Sequence, residues 1–387
     1  MSATIHITPR GEERIRRGHP WIYRADVLRA DAIAGDTVTV VGPRERTLGS
    51  ALYSDRSQIA LRMLARGGEP AGLDLWKGRL DRAVRFREHL GIAASACRLV
   101  HGEADLLPAL IVDRYDRWLV VQALAQGVDR LLPEITQLLV ERLQPEGILA
   151  RNDPRVRLLE GLEQTVAVLH GGIPDTIRVQ ENGVQFEVDL RRGQKTGLFL
   201  DQRENRAAAG GYAEGRVLDC FSYHGGFALA VARRAVEVVA LDSSADAVDR
   251  IRRNAALNGI ANVTAREVNV FDELRQLERS GERFDQIVLD PPAFAKNKAA
   301  VPKAIAGYKE INLRALRLLR PGGTLVTCSC SYNVNEALFL DIIHEAALDA
   351  HAPVTMLEKR MQARDHPVLV GVPETYYLKC VILRRLE

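Results

Sequence analysis

Val217-Leu218-Asp219-Cys220-Phe221-Ser222-Tyr223-His224-Gly225-Gly226-Phe227 is an apolar run that breaks at a glycine pair and then resumes. It reads as a strand turning directly into a helix. Gly225 and Gly226 remove the Cβ atoms that would keep a ligand from the backbone. In open α/β sheets, ligands bind beyond the carboxyl ends of the strands at such a crossover. The same pattern repeats downstream. Strands are expected at 216–221, 236–242, 263–270, 284–289 and 324–329, with helices at 227–234, 245–258 and 304–319. Alternation of this length implies a doubly wound, Rossmann-like α/β domain with helices on both faces of a parallel sheet. Residues 376–383 read as a closing strand, antiparallel to its neighbour.

Three of these strands are expected to end on a carboxylate: Asp219, Asp242 and Asp272. Asp242 lies 23 residues after Asp219, the spacing that suits a ribose hydroxyl pair. A nicotinamide dehydrogenase would share that feature, but the Gly-x-Gly-x-x-Gly pattern is absent. A methyl donor has no pyrophosphate to cradle, so S-adenosylmethionine is the expected cofactor. Asp219 would take its ammonium group, Asp242 its ribose and Asp272 its adenine amino group. Tyr223, Gly225 and Gly226 would line the same loop. The plain structural alternative for Asp242 is a helix cap, with Ser243 and Ser244 also available.

Asp290-Pro291-Pro292-Ala293-Phe294 follows an apolar strand, and proline cannot extend a ladder, so the backbone turns there. Such a loop offers Asp290 and carbonyls to a planar base and Phe294 as a stacking surface. Related Pro-Pro-aromatic loops occur in enzymes that methylate exocyclic amines, but here Ala293 intervenes before the aromatic, so the motif points to nucleic-acid methylation without saying which atom. Leu325-Val326-Thr327-Cys328-Ser329-Cys330-Ser331 ends the next strand beside the same cleft. Carbon 5 of cytosine is not nucleophilic until a thiolate adds to carbon 6, so a cysteine here has a specific chemical task. Cys97, Cys220 and Cys380 read as small buried hydrophobes. No metal site is expected, because no second cysteine or histidine pair accompanies Cys328 and Cys330.

Further out, 47% hydrophobic and 27% charged residues describe an ordinary folded chain of 387 residues. No run approaches a membrane span, and the first residues lack the apolar core of a secretory signal, so a cytoplasmic protein is expected. Residues 1–66 hold 11 arginines and no lysine against seven acids, a net +4 on a chain of net +3. A basic end on a near-neutral chain is compatible with nucleic acid or with a solvated face. Strands at 37–41, 48–53 and 58–64 with Gly-Pro and Ser-Asp turns suggest a small β-rich domain, closed by a linker, Gly67-Gly68-Glu69-Pro70. A helix at 73–90, paired strands at 110–113 and 118–122 and a helix at 128–143 form an α+β section. A tight hairpin follows at Asn182-Gly183.

Taken together, the chain resembles the bacterial 23S ribosomal RNA (cytosine-5) methyltransferases of the large-subunit methyltransferase I type. Its most specific segment is Gly193-Gln194-Lys195-Thr196-Gly197-Leu198-Phe199-Leu200-Asp201-Gln202-Arg203-Glu204-Asn205-Arg206. The 219–227 segment, the Asp290-Pro291-Pro292 loop, Ser329-Cys330-Ser331 and Asp365-His366-Pro367 agree with it. So do Gly18-His19-Pro20-Trp21-Ile22-Tyr23 and Ser57-Gln58-Ile59-Ala60-Leu61-Arg62 near the N-terminus. The resemblance implies a PUA RNA-binding β-barrel at 1–68, a central α+β domain at 69–177 and a class I methyltransferase domain at 178–387. It implies Cys330 as the nucleophile, with Cys328 the second choice, and Asp290 as the residue that orients the base.

Within the 193–206 segment, Lys195, Thr196, Phe199 and Arg203 are expected near cofactor or RNA: Phe199 at the cofactor, Lys195 and Arg203 on the RNA, together with Pro291, Pro292 and Phe294. Ala293 stands where many RNA cytosine-5 enzymes carry a second cysteine. Lys296, Asp290 and His366 are then candidates to take the carbon 5 proton. The expected partner is 23S rRNA or a large-subunit assembly intermediate, and the sequence leaves a homodimer open. Two alternatives remain: methylation of a guanine nitrogen on the same fold, or an RNA-binding assembly factor with a vestigial S-adenosylmethionine pocket.

Overall fold

The computed structural model describes residues 3–69 and 71–387. Of the expected linker, Pro70 lies outside the described residues, as do Met1 and Ser2 of the N-terminal stretch. The chain divides into two compact units. One comprises Met1–Val179, Val188–Leu200 and Arg364–Thr375, and the other Gln180–Glu187, Asp201–Ala363 and Tyr376–Glu387.

The first unit contains two sheets. Six strands run in the order Trp21–Tyr23, Ile59–Arg66, Thr47–Tyr53, Thr37–Val41, Thr4–Ile7, Val27–Asp31. The β-branched run Thr37–Val41 is central because alternate side chains, Val38 and Val40, enter a core with Ile5, Ile7, Ile22 and Leu61. The second sheet orders Thr165–Gly171, Gly147–Asn152, Trp118–Ala123, Leu110–Tyr115 and Ala96–His101. The Leu73–His89 helix forms where its periodicity predicts. The helix expected over 128–143 is broken into Gln126–Arg130 and Leu132–Leu143. Pro133 is responsible: lacking an N–H, it fits only the first turn of a new helix.

The second unit carries the seven-stranded sheet Val263–Glu267, Glu237–Asp242, Arg216–Cys220, Phe284–Leu289, Leu319–Ser329, Lys379–Arg385, Val354–Met361. The first five are parallel, and Lys379–Arg385 is antiparallel to both of its neighbours. Successive residues feed opposite faces. Leu218, Leu241, Ile287 and Leu325 pack under the helices Val301–Leu318 and Glu336–Ala350. Val217, Val238, Val288 and Val326 pack with Gly226–Ala232 and Ala245–Leu257. Strand order reverses between Arg216–Cys220 and Phe284–Leu289, which makes their carboxyl ends the switch point where ligands bind in such sheets. The Asn182-Gly183 turn forms as read, with φ of 49° and 79°.

One expected strand is too long. The third strand stops at Glu267, and Asn269 caps the helix Val270–Arg279 by accepting from Phe271 N and Asp272 N. Asn is among the strongest helix starters, and its bonds satisfy two of the otherwise unpaired first N–H groups.

Candidate active site

The switch point begins with Asp219, the fourth residue of a five-residue strand and fully buried. Its Oδ2 accepts from the Ser222 hydroxyl and, at 2.9 Å, from Ala228 N, so it ties the loop to the first turn of the Gly226–Ala232 helix. Its Oδ1 has no hydrogen-bond partner among the described residues. Burial pushes this carboxyl up to about 7, with the nearby Asp290 adding to the effect and the Ser222 and Ala228 bonds opposing it. A buried carboxylate oxygen without a donor is costly, and a cation would relieve that cost. The ammonium of S-adenosylmethionine fits this requirement.

Asp242 ends the neighbouring strand. Its Oδ2 accepts from Tyr223 N at 2.9 Å and its Oδ1 from Ser244 N at 3.0 Å. Helix capping is left to Ser244, whose hydroxyl accepts from Ala247 N. Asp242 therefore joins the loop after the first strand to the end of the second and retains acceptor capacity for hydroxyls. Tyr223 stands in that loop with φ 51° and stacks on His224 at 3.6 Å.

The glycines are explained differently from the sequence expectation. Gly225 is needed because its φ is +81°, and Gly226 because a Cβ there would sit 2.6 Å from Nε of Arg206. Both requirements already arise within the protein's own packing. Asp272 is likewise corrected. It lies in the first turn of a helix with its side chain 75% exposed, paired with Arg275 at 3.3 Å.

At the other side of the switch, Asp290 follows the Phe284–Leu289 strand. Its Oδ1 accepts from Gln202 Nε2 at 2.8 Å, and Gln202 Oε1 accepts from Asn205 Nδ2 at 2.7 Å. Pro291 is buried and Pro292 exposed. Cys330 follows the last residue of the Leu319–Ser329 strand, and its Sγ lies 3.9 Å from the Pro291 carbonyl oxygen. The Pro-Pro loop and Cys330 are thus brought together, as expected.

The flanking serines are fully engaged. Tyr308 Oη lies 3.0 Å from Ser329 Oγ and 2.9 Å from Ser331 Oγ, and Ser331 Oγ also accepts from Ala295 N at 3.1 Å. Phe294 is not a free stacking surface. Its ring packs 4.7 Å from Tyr308 and 6.0 Å from Phe271, half-buried against the core.

The five cysteines separate clearly. Cys97, Cys220, Cys328 and Cys380 are buried and Cys330 is partly exposed. Cys328 faces Cys380 across the antiparallel ladder, and burial pushes its thiol well above the usual range, so it stays protonated and inert.

Sequence reasoning missed Tyr308, Gln202 and Lys379. Tyr308 reads as an apolar helix position. Lys379 did carry a signal: a lone charge inside the closing strand, where burial demands partners. Its Nζ donates to Ser331 O at 2.8 Å and Tyr377 O at 3.0 Å.

The 193–206 segment is divided between the units. In the first, Lys195 sits over the Phe199 ring at 4.3 Å, and Thr196 is buried, donating to Asp113 Oδ2 at 2.6 Å and bonded to the Tyr115 hydroxyl at 2.9 Å. In the second, Arg203 is 2% exposed with its guanidinium 3.7 Å from Glu204, so it cannot meet phosphates as expected. Of the suggested proton acceptors, Lys296 is exposed, while His366 is buried in the first unit, 2.9 Å from Asp365.

Residues 122–383 match the family model of S-adenosylmethionine-dependent methyltransferases, and residues 5–66 match a PUA-like domain. Among solved structures, a methyltransferase complexed with SAH superposes with a TM-score of 0.86 at 21% identity, covering 98% of this chain and 99% of that one. A protein from Streptococcus mutans described as a SAM-dependent methyltransferase gives 0.83 at 20% identity, with the same coverage. These two share the fold. Fold and site together define an S-adenosylmethionine-dependent methyltransferase that carries a PUA-like domain.

Curated relatives named ribosomal RNA large subunit methyltransferase I align along their whole length. The Shewanella amazonensis protein is 41% identical over 99% of this chain, that of Tolumonas auensis 40% over 100%, and that of Aeromonas hydrophila 42% over 99%. The chain belongs to the ribosomal RNA large subunit methyltransferase I family.

Proposed function

We propose that this chain methylates carbon 5 of a cytosine in 23S ribosomal RNA, met as free RNA or in a large-subunit assembly intermediate, with Cys330 as nucleophile. The observation that carries the reading is that Cys330 alone among the cysteines is not buried, and that it stands against the Asp290-Pro291-Pro292 loop. S-adenosylmethionine, when bound, supplies an electrophilic methyl group. Asp219 holds its ammonium, Asp242 its ribose hydroxyls, and the Tyr223 loop lies between them.

The Cys330 thiolate adds to carbon 6, which makes carbon 5 the nucleophilic centre. Once carbon 5 carries the methyl group, loss of its proton lets the sulfur leave. Asp290, oriented by Gln202, accepts from the cytosine amino group. The ring must be reached on its face, so the base is single-stranded or flipped out.

In this reading residues 1–68 bind RNA, 69–177 form the central domain and 178–387 the catalytic one. Arg16, Arg17, Arg29 and Arg46 expose at least 72% of their side chains and can meet phosphates. Arg24 and Arg62 are consumed internally, by the Ser54 and Ser57 carbonyls and by Glu160. Binding should weaken as salt rises.

The test uses ribosomal RNA lacking modifications, a labelled methyl donor, and wild-type and Cys330→Ala proteins, with the product nucleoside identified by mass spectrometry. 5-Methylcytosine from wild type and none from the variant is expected. Label on guanine, or a fully active variant, overturns the reading.

A further inference from the structure

Lys379 is 3% exposed, and nothing in the reaction outlined above uses it. It opens the closing strand directly opposite Ser329, one residue from Cys330. Its ammonium bonds the carbonyl of Ser331, the residue after Cys330, and that of Tyr377. Both acceptors are neutral, so no carboxylate bonded to it offsets the charge in these contacts. A neutral donor would serve two carbonyls as well, without the cost of burying a cation.

The titratable groups around Cys330 and Lys379 come from four elements. Asp290 follows the Phe284–Leu289 strand and is held by Gln202. Tyr308, on the Val301–Leu318 helix, has its hydroxyl proton held more tightly than usual by burial. Glu336, at the start of the Glu336–Ala350 helix, gives one oxygen to Lys359 at 2.9 Å and the other to the Tyr376 hydroxyl at 2.7 Å. Lys379 is the buried cation of the set. A carboxylate beside the loop, Asp290, would disfavour a thiolate, and Lys379, whose charge Glu336 supports, opposes it.

We propose that Lys379 is the positioning residue of the nucleophile: its ammonium locks the turn that presents Cys330 and stabilises the thiolate form of that side chain. The thiol proton leaves to solvent and the lysine keeps its own. Burial brings the Lys379 ammonium down to about 8, so its charge is present at neutral pH and fades above that. Its support of the thiolate fades with it. The inference rests on Cys330 being the nucleophile.

The labelling itself needs neither RNA nor methyl donor. The full chain is treated with iodoacetamide across a pH series, and alkylation of the Cys330 peptide is followed by mass spectrometry. In Lys379→Met the alkylation midpoint should rise by about one pH unit, which is about tenfold slower labelling near neutrality. In Lys379→Arg it should stay near the wild-type value. A folded Lys379→Met protein, judged by its melt and by retained S-adenosylmethionine binding, with the wild-type midpoint overturns the proposal. If the methionine variant does not fold, Lys379→Gln, which keeps donors for both carbonyls, carries the same expectation, and an unshifted midpoint overturns it equally. Failure of the nucleophile itself would appear elsewhere, as undiminished methyl transfer by Cys330→Ala.

Discussion

At the carboxyl end of the Arg216–Cys220 strand, Asp219 presents a buried oxygen with no hydrogen-bond partner among the described residues. At the carboxyl end of the Leu319–Ser329 strand, both serine hydroxyls are bonded to Tyr308, the next carbonyl is bonded to Lys379, and the group at the surface is a thiol. Two strand ends on one edge of the same sheet thus solve opposite problems. The first is electrostatically incomplete and, in the proposed reading, is satisfied by the cationic end of the cofactor. The second is hydrogen-bonded in place before any substrate arrives, as the proposed nucleophile requires. Cofactor affinity and chemical rate should therefore be separable by mutation, one strand end at a time.

The sharpest way to break this comparison is Cys330→Ala. Methyl transfer should fall by on the order of 10⁴ or more, while S-adenosylmethionine binding by calorimetry stays within about twofold. Joint loss would mean the two ends are not independent.

Next is Asp219→Asn, which should weaken S-adenosylmethionine by roughly 10–100-fold, the worth of a buried charge-assisted bond. The wild-type affinity should also depend on pH. The raised carboxyl must be ionised to face a cation, so affinity declines below pH about 7 and levels off above it. The asparagine variant should show no such decline. The same shift acts on stability with opposite sign. In the absence of ligand the folded carboxyl keeps its proton where an unfolded chain would release it near about 4. This group's contribution to stability is therefore lost as pH rises from about 4 to about 7, and melts over that range would register it.

Tyr308→Phe sharpens the other side. It removes the hydroxyl that ties both serines and should lower kcat about tenfold with an unchanged KM for the methyl donor, at a cost of about 1–2 kcal/mol in stability. Smallest of all is Asp272→Ala, an exposed helical position, where donor affinity should move by less than about twofold.

The fold of the second unit was legible because parallel strands buried on both faces read as unbroken apolar runs, and Gly225 marks the turn between strand and helix. Asp219, Asp242, Asp290 and Cys330 were legible as polar residues abruptly ending such runs. Asp272 misled because Asn269 starts the helix three residues earlier, and a cap outweighs a β-branched run that has already ended. Arg203 misled because charge alone does not distinguish a surface arginine from a buried one. Tyr308 and Gln202 act through partners 21 and 88 residues distant, which no local pattern encodes, and the lone charge of Lys379 in an apolar strand does not reveal its bond to Ser331, 48 residues away. The helix Glu336–Ala350 and the strand Val354–Met361 were also missed, the strand because its side chains are mostly exposed and show no apolar face.

The division of the chain has a consequence for its manufacture. Residues 364–375 belong to the same unit as residues 1–179. Asp365 supplies the carboxylate that takes the Arg98 N–H at 2.9 Å and the carbonyl that takes the Arg87 guanidinium at 2.8 Å. A ribosome making this protein from its N-terminus cannot release a finished first unit early, as it would for beads on a string. The unit emerging first must wait, with part of its interior uncovered, until residues 364–375 have been made.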